Sequence, residues 1–195
     1  MHLFFSTPIW ASKIDDYKKV NSMMANYIYS LQEKDPEGVI KSNLKGWHSK
    51  SFDMKNDEPR NFIEAIKKNI NIAINDMGWD LGSQEVSLPN MWAIINKKGA
   101  MNQKHHHSNN DLSAAYYVTA KESCGDIIFY DPRPGKVYKY PLSKKPNSLN
   151  AHNNGIKPEP GMLVLFPSYL EHSVNPNMSD HERIVISFNI SLEKK

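Results

Sequence analysis

Three consecutive histidines, His105 to His107, lie in the middle of a chain that contains only eight histidines. Histidine is the commonest metal ligand among side chains, because its neutral imidazole offers a free nitrogen lone pair. Residues two apart on an extended segment point to the same side, so His105 and His107 can turn toward one ion while His106 faces away. This spacing alone is weak evidence, since a solvated polar loop would look the same.

A further candidate ligand is His172, which follows the apolar run "MLVLF" (162–166) and a tight turn. A histidine at this place, where a buried strand ends and a β-rich run begins, is well placed to reach the mouth of a β-barrel. His48, His152 and His181 have no such setting, and the sequence predicts that they are surface residues.

The segment "RIVISFNI" (183–190) predicts a strand with two different faces. One face is wholly apolar, and we expect the N-terminal helices to cover it. The other face carries Arg183, Val185, Ser187 and Asn189. A buried arginine is unfavourable unless it meets an anion, and its planar fork suits a carboxylate. The alternative is an edge strand from which Arg183 reaches solvent.

Apolar residues at helical spacing predict two packing helices in the first half, Asp15–Glu33 and Pro59–Met77. After Gly82 the chain changes to short runs of β-branched and aromatic residues, which predict a sandwich or jelly roll. The predicted strands are Val86–Asn96, Leu112–Thr119, Asp126–Tyr130, Met162–Phe166, Leu170–Val174 and Arg183–Ile190. We expect one mainly β domain over 1–195, with a helical buttress (1–82) and a β core (83–195).

The segment Pro132–Pro160 is rich in Lys, Asn, Ser and Pro. It predicts a long surface loop, with a hairpin around Val137–Tyr140. Loops of this length also serve as lids over active sites, and the sequence leaves both interpretations open.

The composition excludes several classes of protein. The net charge of +3, from 24 basic and 21 acidic residues, is too small and dispersed to indicate binding to nucleic acid or to a membrane surface. No apolar stretch is long enough for a membrane span, and the first residues do not resemble a signal peptide. The single cysteine, Cys124, favours a reducing compartment. We expect a cytoplasmic protein, and the oligomeric state, a homodimer included, is left open.

Five stretches of the second half resemble, in order, the Fe(II)/2-oxoglutarate-dependent oxygenase superfamily. They are "NMWAIINKKGAMNQKHHH", "LSAAYYV", "GDIIFYDPRP", "PGMLVLFPSYLEHSV" and "ERIVISFN". The likeness is greatest to a branch found in marine bacteria and their phages, which "LFFSTPIW" and "GWHS" in the first half also resemble. The resemblance implies a double-stranded β-helix, the cupin-like jelly roll. It also implies a dioxygenase that uses Fe(II), 2-oxoglutarate and O2 to hydroxylate a substrate, with release of succinate and CO2. If phage-encoded, the protein is expected in the host cytoplasm.

The resemblance implies roles for particular residues. His105 and His172 are implied as metal ligands, and Arg183 as the partner of the distal carboxylate of 2-oxoglutarate. Tyr117 stands where related hydroxylases have a tyrosine that reaches the same carboxylate. Ser187, on the strand face of Arg183, can add a hydroxyl.

The second metal position departs from most of the superfamily, which has His-x-Asp and a distant histidine, a facial triad with open positions for cosubstrate and oxygen. Here His107 takes the place of the aspartate, which implies three neutral imidazoles and one negative charge fewer. Asp111, across a turn from His107, is the alternative ligand.

Two other functions fit parts of the pattern. A cupin-like three-histidine metalloprotein that does not use 2-oxoglutarate fits the ligand count, but it has no need of Arg183. A non-catalytic binding module with the same fold is the second alternative. The prime substrate is not indicated by the sequence. Trp92 and Asn96 are candidates to contact it, although core packing explains Trp92 better.

Overall fold

The computed structural model describes residues 1–133 and 141–195, and in this part of the chain it has two helices and twelve strands. The helices are α1 (Tyr17–Lys34) and α2 (Asp57–Asp76). The strands are β1 (Trp10–Lys13), β2 (Asn43–Leu44), β3 (Trp47–His48), β4 (Gln84–Ser87), β5 (Met91–Asn96), β6 (Met101–His105), β7 (Leu112–Thr119), β8 (Ile127–Tyr130), β9 (Asn153–Ile156), β10 (Met162–Pro167), β11 (His172–Val174) and β12 (Arg183–Lys194).

Both helices form where the apolar spacing predicts them. Their buried faces are Val20, Met24, Tyr27 and Ile28 in α1, and Pro59, Phe62, Ile66, Ile70, Ala73 and Ile74 in α2. Helix α2 begins two residues before Pro59, because Asp57 and Glu58 in its first turn interact favourably with the helix dipole. Among the described residues, no helix combines the length and apolar character needed to span a membrane.

Two antiparallel sheets form the jelly roll that the sequence predicts. The larger sheet has the order β1-β10-β7-β12-β5-β3, with β4 paired to the end of β12, and the smaller sheet has the order β2-β6-β11-β8-β9. Helices α1 and α2 pack on the outer face of the larger sheet and form the main core with it. A second apolar cluster joins the inner faces of the two sheets, so the functional cavity described below lies between the sheets.

Strand β12 divides its two faces as predicted. The apolar face, buried in the core beneath the helices, consists of Ile184, Ile186, Phe188 and Ile190. The opposite face, which lines the cavity, consists of Arg183, Val185, Ser187 and Asn189. Strand β12 is paired on both sides, with β5 and β7, so Arg183 does not reach solvent from an edge.

Some elements differ from the sequence prediction. Strands β1, β2 and β3 lie within residues 1–82 and complete the two sheets, so this segment is more than a helical buttress. The predicted strand Val86–Asn96 is interrupted after Ser87, where Pro89 lacks the amide hydrogen that a continuous ladder needs. Within the predicted loop 132–160, β9 pairs with β8. The hairpin predicted around Val137–Tyr140 lies outside the described residues.

Candidate active site

His105, His107 and His172 converge inside the cavity. Their ligating nitrogens lie within 4.8 Å of one another, and in the described part of the chain no other group of His, Cys, Asp or Glu could hold a metal ion in this way. The ring centroids are 4.3 Å apart for His105 and His172, and 5.1 and 5.2 Å from His107 to these two. His106 is exposed and contacts Ser108 instead.

Strand pairing positions two of these histidines. His105 ends β6 and His172 begins β11, and the two are direct partners in the antiparallel ladder. Side chains of directly paired residues lie on the same face of a sheet, so both imidazoles enter the cavity. His107 follows β6, and its backbone amide donates a 3.0 Å hydrogen bond to the carbonyl of Ser168. This bond brings the third imidazole beside the other two.

Backbone carbonyls select the tautomers of two imidazoles. Nδ1 of His105 lies 2.7 Å from the carbonyl oxygen of Gln103, and Nδ1 of His172 lies 3.0 Å from that of Leu170. Because a carbonyl only accepts hydrogen bonds, each Nδ1 carries the proton and leaves Nε2 free to bind metal. The same bonds fix the orientation of the rings, as partners of metal ligands commonly do.

The three imidazoles are neutral in the folded protein. Loss of solvation on burial, with a smaller contribution from the proximity of the His105 imidazole, lowers the pKa of His172 to about 3 and that of His107 to about 4. Burial also lowers the pKa of His105. Metal ligands must be deprotonated, and imidazole nitrogens suit iron among other transition metals. The donor set therefore fits an iron ion.

The stability of the metal-free protein is expected to fall as the pH is lowered. In the unfolded chain these histidines bind a proton near pH 6.5, but His107 and His172 do so only near pH 4 and pH 3 when folded. Their neutral state therefore contributes fully to the free energy of unfolding above pH 6.5, and this contribution is lost as the pH falls toward 4. We expect the Tm without metal to drop between pH 7 and pH 5. His107→Gln should reduce this slope, and a Tm independent of pH would contradict the neutral state.

Arg183 is fully buried and has one open edge. Its Nη1 donates to the carbonyl oxygens of Cys124, Gly125 (3.3 Å) and Asn175 (3.0 Å). Its Nε and Nη2 atoms are buried and donate to no described residue, and no carboxylate of the described chain pairs with it. Nε–H and Nη2–H form the side-by-side pair that binds a carboxylate in a bidentate manner. This open edge is a ready site for a carboxylate.

Tyr117 and Ser187 lie in the same cavity as Arg183. Tyr117 is 1% exposed, and burial raises the pKa of its hydroxyl, which keeps the hydroxyl a hydrogen-bond donor. Neither hydroxyl makes a hydrogen bond with another described residue. Both are thus available to a ligand held at the open edge of Arg183.

The cavity has a volume of about 740 Å³ and is lined by the three histidines and by Arg183. This volume can hold a small dicarboxylate together with part of a second molecule. No carboxylate occurs among the described lining residues, and no described residue of the 132–160 loop lines the cavity.

Asp111 is separate from the histidines. Its carboxylate accepts a 2.7 Å hydrogen bond from the backbone amide of Leu192, and its side of the fold faces a different surface pocket. The role of this carboxylate is therefore to hold the end of β12. The structure brings His107, and not Asp111, to His105 and His172.

Two cavity residues were misjudged from the sequence. His48 is only 8% exposed and lines the cavity, so the prediction of a surface residue is wrong for it. Its ring stacks on Trp92, with centroids 5.7 Å apart and planes 10° apart, and Trp92 lies 5.7 Å from the ring of His107. Trp92 is thus a cavity residue and not a core residue. Asn96 does not line the cavity, and its amide donates to Asn102.

A jelly roll that holds three histidines and a buried arginine between its sheets has the architecture of an iron- and 2-oxoglutarate-dependent oxygenase. The model of the family described as "Putative 2OG-Fe(II) oxygenase" matches residues 90–189. The chain belongs to this family. As a member of this family it is an oxidoreductase of the iron(II)- and 2-oxoglutarate-dependent class. The match runs from just before β5 into β12 and includes all three histidines, Tyr117 and Arg183.

Solved structures of low sequence identity share the fold. A prolyl-4-hydroxylase of Pseudomonas putida is 14% identical, with a TM-score of 0.65 over 97% of this chain and 94% of that one. HygX of Streptomyces hygroscopicus, solved with nickel and 2-oxoglutarate, is 10% identical, with a TM-score of 0.63 over 95% and 83%. The viral collagen prolyl hydroxylase of Paramecium bursaria Chlorella virus-1, in complex with 2-oxoglutarate, is 14% identical, with a TM-score of 0.57 over 93% and 95%. A search of curated proteins found no match.

Proposed function

We propose that His105, His107 and His172 hold Fe(II) and that Arg183 binds 2-oxoglutarate, in an enzyme that hydroxylates a substrate within the cavity. The observation that carries this proposal is the open edge of Arg183. A buried guanidinium with two unpartnered N–H groups is unfavourable without an anion. A dicarboxylate in the same cavity supplies that anion.

The hydrogen bonds of Arg183 Nη1 fix the guanidinium and so orient the bound dicarboxylate. Three backbone carbonyls hold Nη1, so the open edge keeps one direction before any ligand arrives. Such preorganisation lowers the entropic cost of binding. The hydroxyls of Tyr117 and Ser187 donate to the same carboxylate and add to its recognition.

The protein thus binds, orients and shields its reactants. When bound, iron and 2-oxoglutarate supply the oxidation of the substrate by O2, with release of succinate and CO2. The imidazoles stay neutral because burial lowers their pKa. The carbonyls of Gln103 and Leu170 hold the Nδ1 protons of His105 and His172, which keeps Nε2 available. The rings of Phe129 and Phe166 pack beside His172 and exclude water from that side.

We further propose that residues 1–195 work as one domain, because strands from its first third complete both sheets. The enzyme is proposed to act in the cytoplasm, or in the host cytoplasm if it is phage-encoded. A reducing compartment suits the single buried Cys124 and keeps iron in the ferrous state.

An anaerobic titration tests the proposed function. Adding 2-oxoglutarate to the Fe(II)-loaded protein is expected to produce a weak visible charge-transfer band, and admitting O2 is expected to release succinate. Pools of metabolites and peptides can then be screened for molecules that increase succinate release. Metal binding without the band would instead indicate a three-histidine metalloprotein that does not use 2-oxoglutarate. A protein that binds no metal would indicate a non-catalytic module.

A further inference from the structure

Among the described residues that line the cavity, Lys41 is a cation without an ion pair. Besides Arg183, the charged lining residues are Lys41, Lys50 and Lys104. Lys50 pairs with Asp35 at 2.9 Å, and Lys104 pairs with Glu171 at 2.6 Å. Lys41 is exposed and forms no ion pair with a described residue. A ligand in the cavity can therefore pair with Lys41 without competition from a carboxylate of the described lining residues.

The metal site adds to this positive charge. All three ligands are neutral imidazoles, so the charge of a ferrous ion is balanced only by the two carboxylates of 2-oxoglutarate. Arg183 then leaves one positive charge that no described lining residue compensates. In a site with a carboxylate ligand this excess would be absent. A cavity with an excess of one sign of charge concentrates ligands of the opposite sign.

A wall of two stacked rings lines the cavity that Lys41 and the metal site share. His48 stacks on Trp92, and Trp92 lies beside His107. His48 and Lys41 line the same cavity, and burial lowers the pKa of His48, so its ring is neutral. Nδ1 of His48 bonds to the carbonyl of Ser49 at 2.6 Å, which fixes the ring. The two rings thus form an aromatic part of the cavity wall beside the metal site.

We propose that the prime substrate is an organic anion, whose carboxylate or phosphate pairs with Lys41 and whose body lies on the wall of His48 and Trp92. This inference rests on the proposed function, since it concerns the space that remains when 2-oxoglutarate occupies Arg183. The same charges disfavour cationic substrates, such as lysine or arginine side chains.

Four probes of similar size test the proposal: benzoate, phenyl phosphate, benzamide and benzylamine. Binding is measured by ligand-observed NMR, with nickel in place of iron and with saturating 2-oxoglutarate to occupy Arg183. We expect at least one of the two anions to bind at least tenfold more tightly than benzamide, and benzylamine to bind more weakly still. The ratio of benzoate to phenyl phosphate affinity distinguishes a carboxylate substrate from a phosphate substrate.

Variants assign the effect to Lys41. Lys41→Glu is expected to lower the affinity for the preferred anion at least tenfold, with Lys41→Gln in between. Lys19→Glu on α1, an exposed lysine outside the cavity lining, makes the same charge change and is expected to have no effect. Probes that bind alike or not at all, or equal losses in the Lys41→Glu and Lys19→Glu variants, would overturn the inference. The 2-oxoglutarate band is followed in parallel with iron, so a failure of cosubstrate binding is recognised separately.

Discussion

His105→Ala is expected to abolish metal-dependent turnover, whereas His106→Ala is expected to leave it nearly unchanged. The two residues are adjacent in sequence, but only His105 contributes a nitrogen to the cluster with His107 and His172. Loss of a partner behind a metal ligand already costs about 10- to 100-fold in affinity. Loss of the ligand itself should cost more, so we expect metal affinity to fall more than about 100-fold.

Competition with a chelator measures this affinity, and succinate release measures turnover. His106 is exposed, so its replacement controls for any effect of altering the histidine run itself. His107→Ala is expected to behave like His105→Ala, and this variant also tests whether Asp111 takes over as a ligand. Equal metal affinity in the His105 and His106 variants would be incompatible with the proposed site.

Arg183→Ala is expected to eliminate 2-oxoglutarate binding while metal binding persists. Removing one partner of a buried ion pair typically costs about 3–5 kcal/mol, which corresponds to a loss of affinity of roughly 10²- to 10⁴-fold. The metal should still bind, because its proposed ligands lie on β6, on β11 and just after β6, and not on β12. The charge-transfer titration and metal analysis of the same sample separate the two effects.

Arg183 also donates hydrogen bonds to the carbonyls of Cys124, Gly125 and Asn175, so its removal could destabilise the fold. A second substitution distinguishes loss of 2-oxoglutarate binding from loss of the fold. Arg183→Lys keeps the positive charge but has no planar fork, so we expect intermediate 2-oxoglutarate affinity with a Tm closer to that of the unmodified protein. Unchanged 2-oxoglutarate affinity in a folded Arg183→Ala variant would favour a three-histidine metalloprotein that does not use this cosubstrate.

The sequence predicts those elements whose burial follows a local period. Helices α1 and α2 have one apolar stripe each, and β12 alternates between an apolar face and a mixed face. The position of Arg183 follows from this alternation, because a residue on the face opposite to Ile184 must point between the sheets. The alternation does not connect this strand with the distant histidines. That connection came from the resemblance of the short motifs to the Fe(II)/2-oxoglutarate-dependent oxygenases.

The sequence could not reveal elements whose burial depends on distant pairing. Strand β3 has only two residues, and His48 is buried because it pairs with Ile94 of β5. Strand β6 reads "MNQKH" and has no apolar alternation, although Asn102 is buried and His105 enters the cavity. The motif "GWHS" was the only signal near His48, and no local rule identifies a histidine there as buried.

The direct pairing of His105 with His172 has a consequence for the order of events during folding. The two residues are far apart in the chain, so the metal site is incomplete until the ladder between β6 and β11 has closed. Closing such a long loop is slow compared with forming local contacts. Metal captured after that step retards unfolding and does not accelerate folding. Ferrous iron is therefore expected to lower the unfolding rate of the folded protein and to leave its folding rate unchanged.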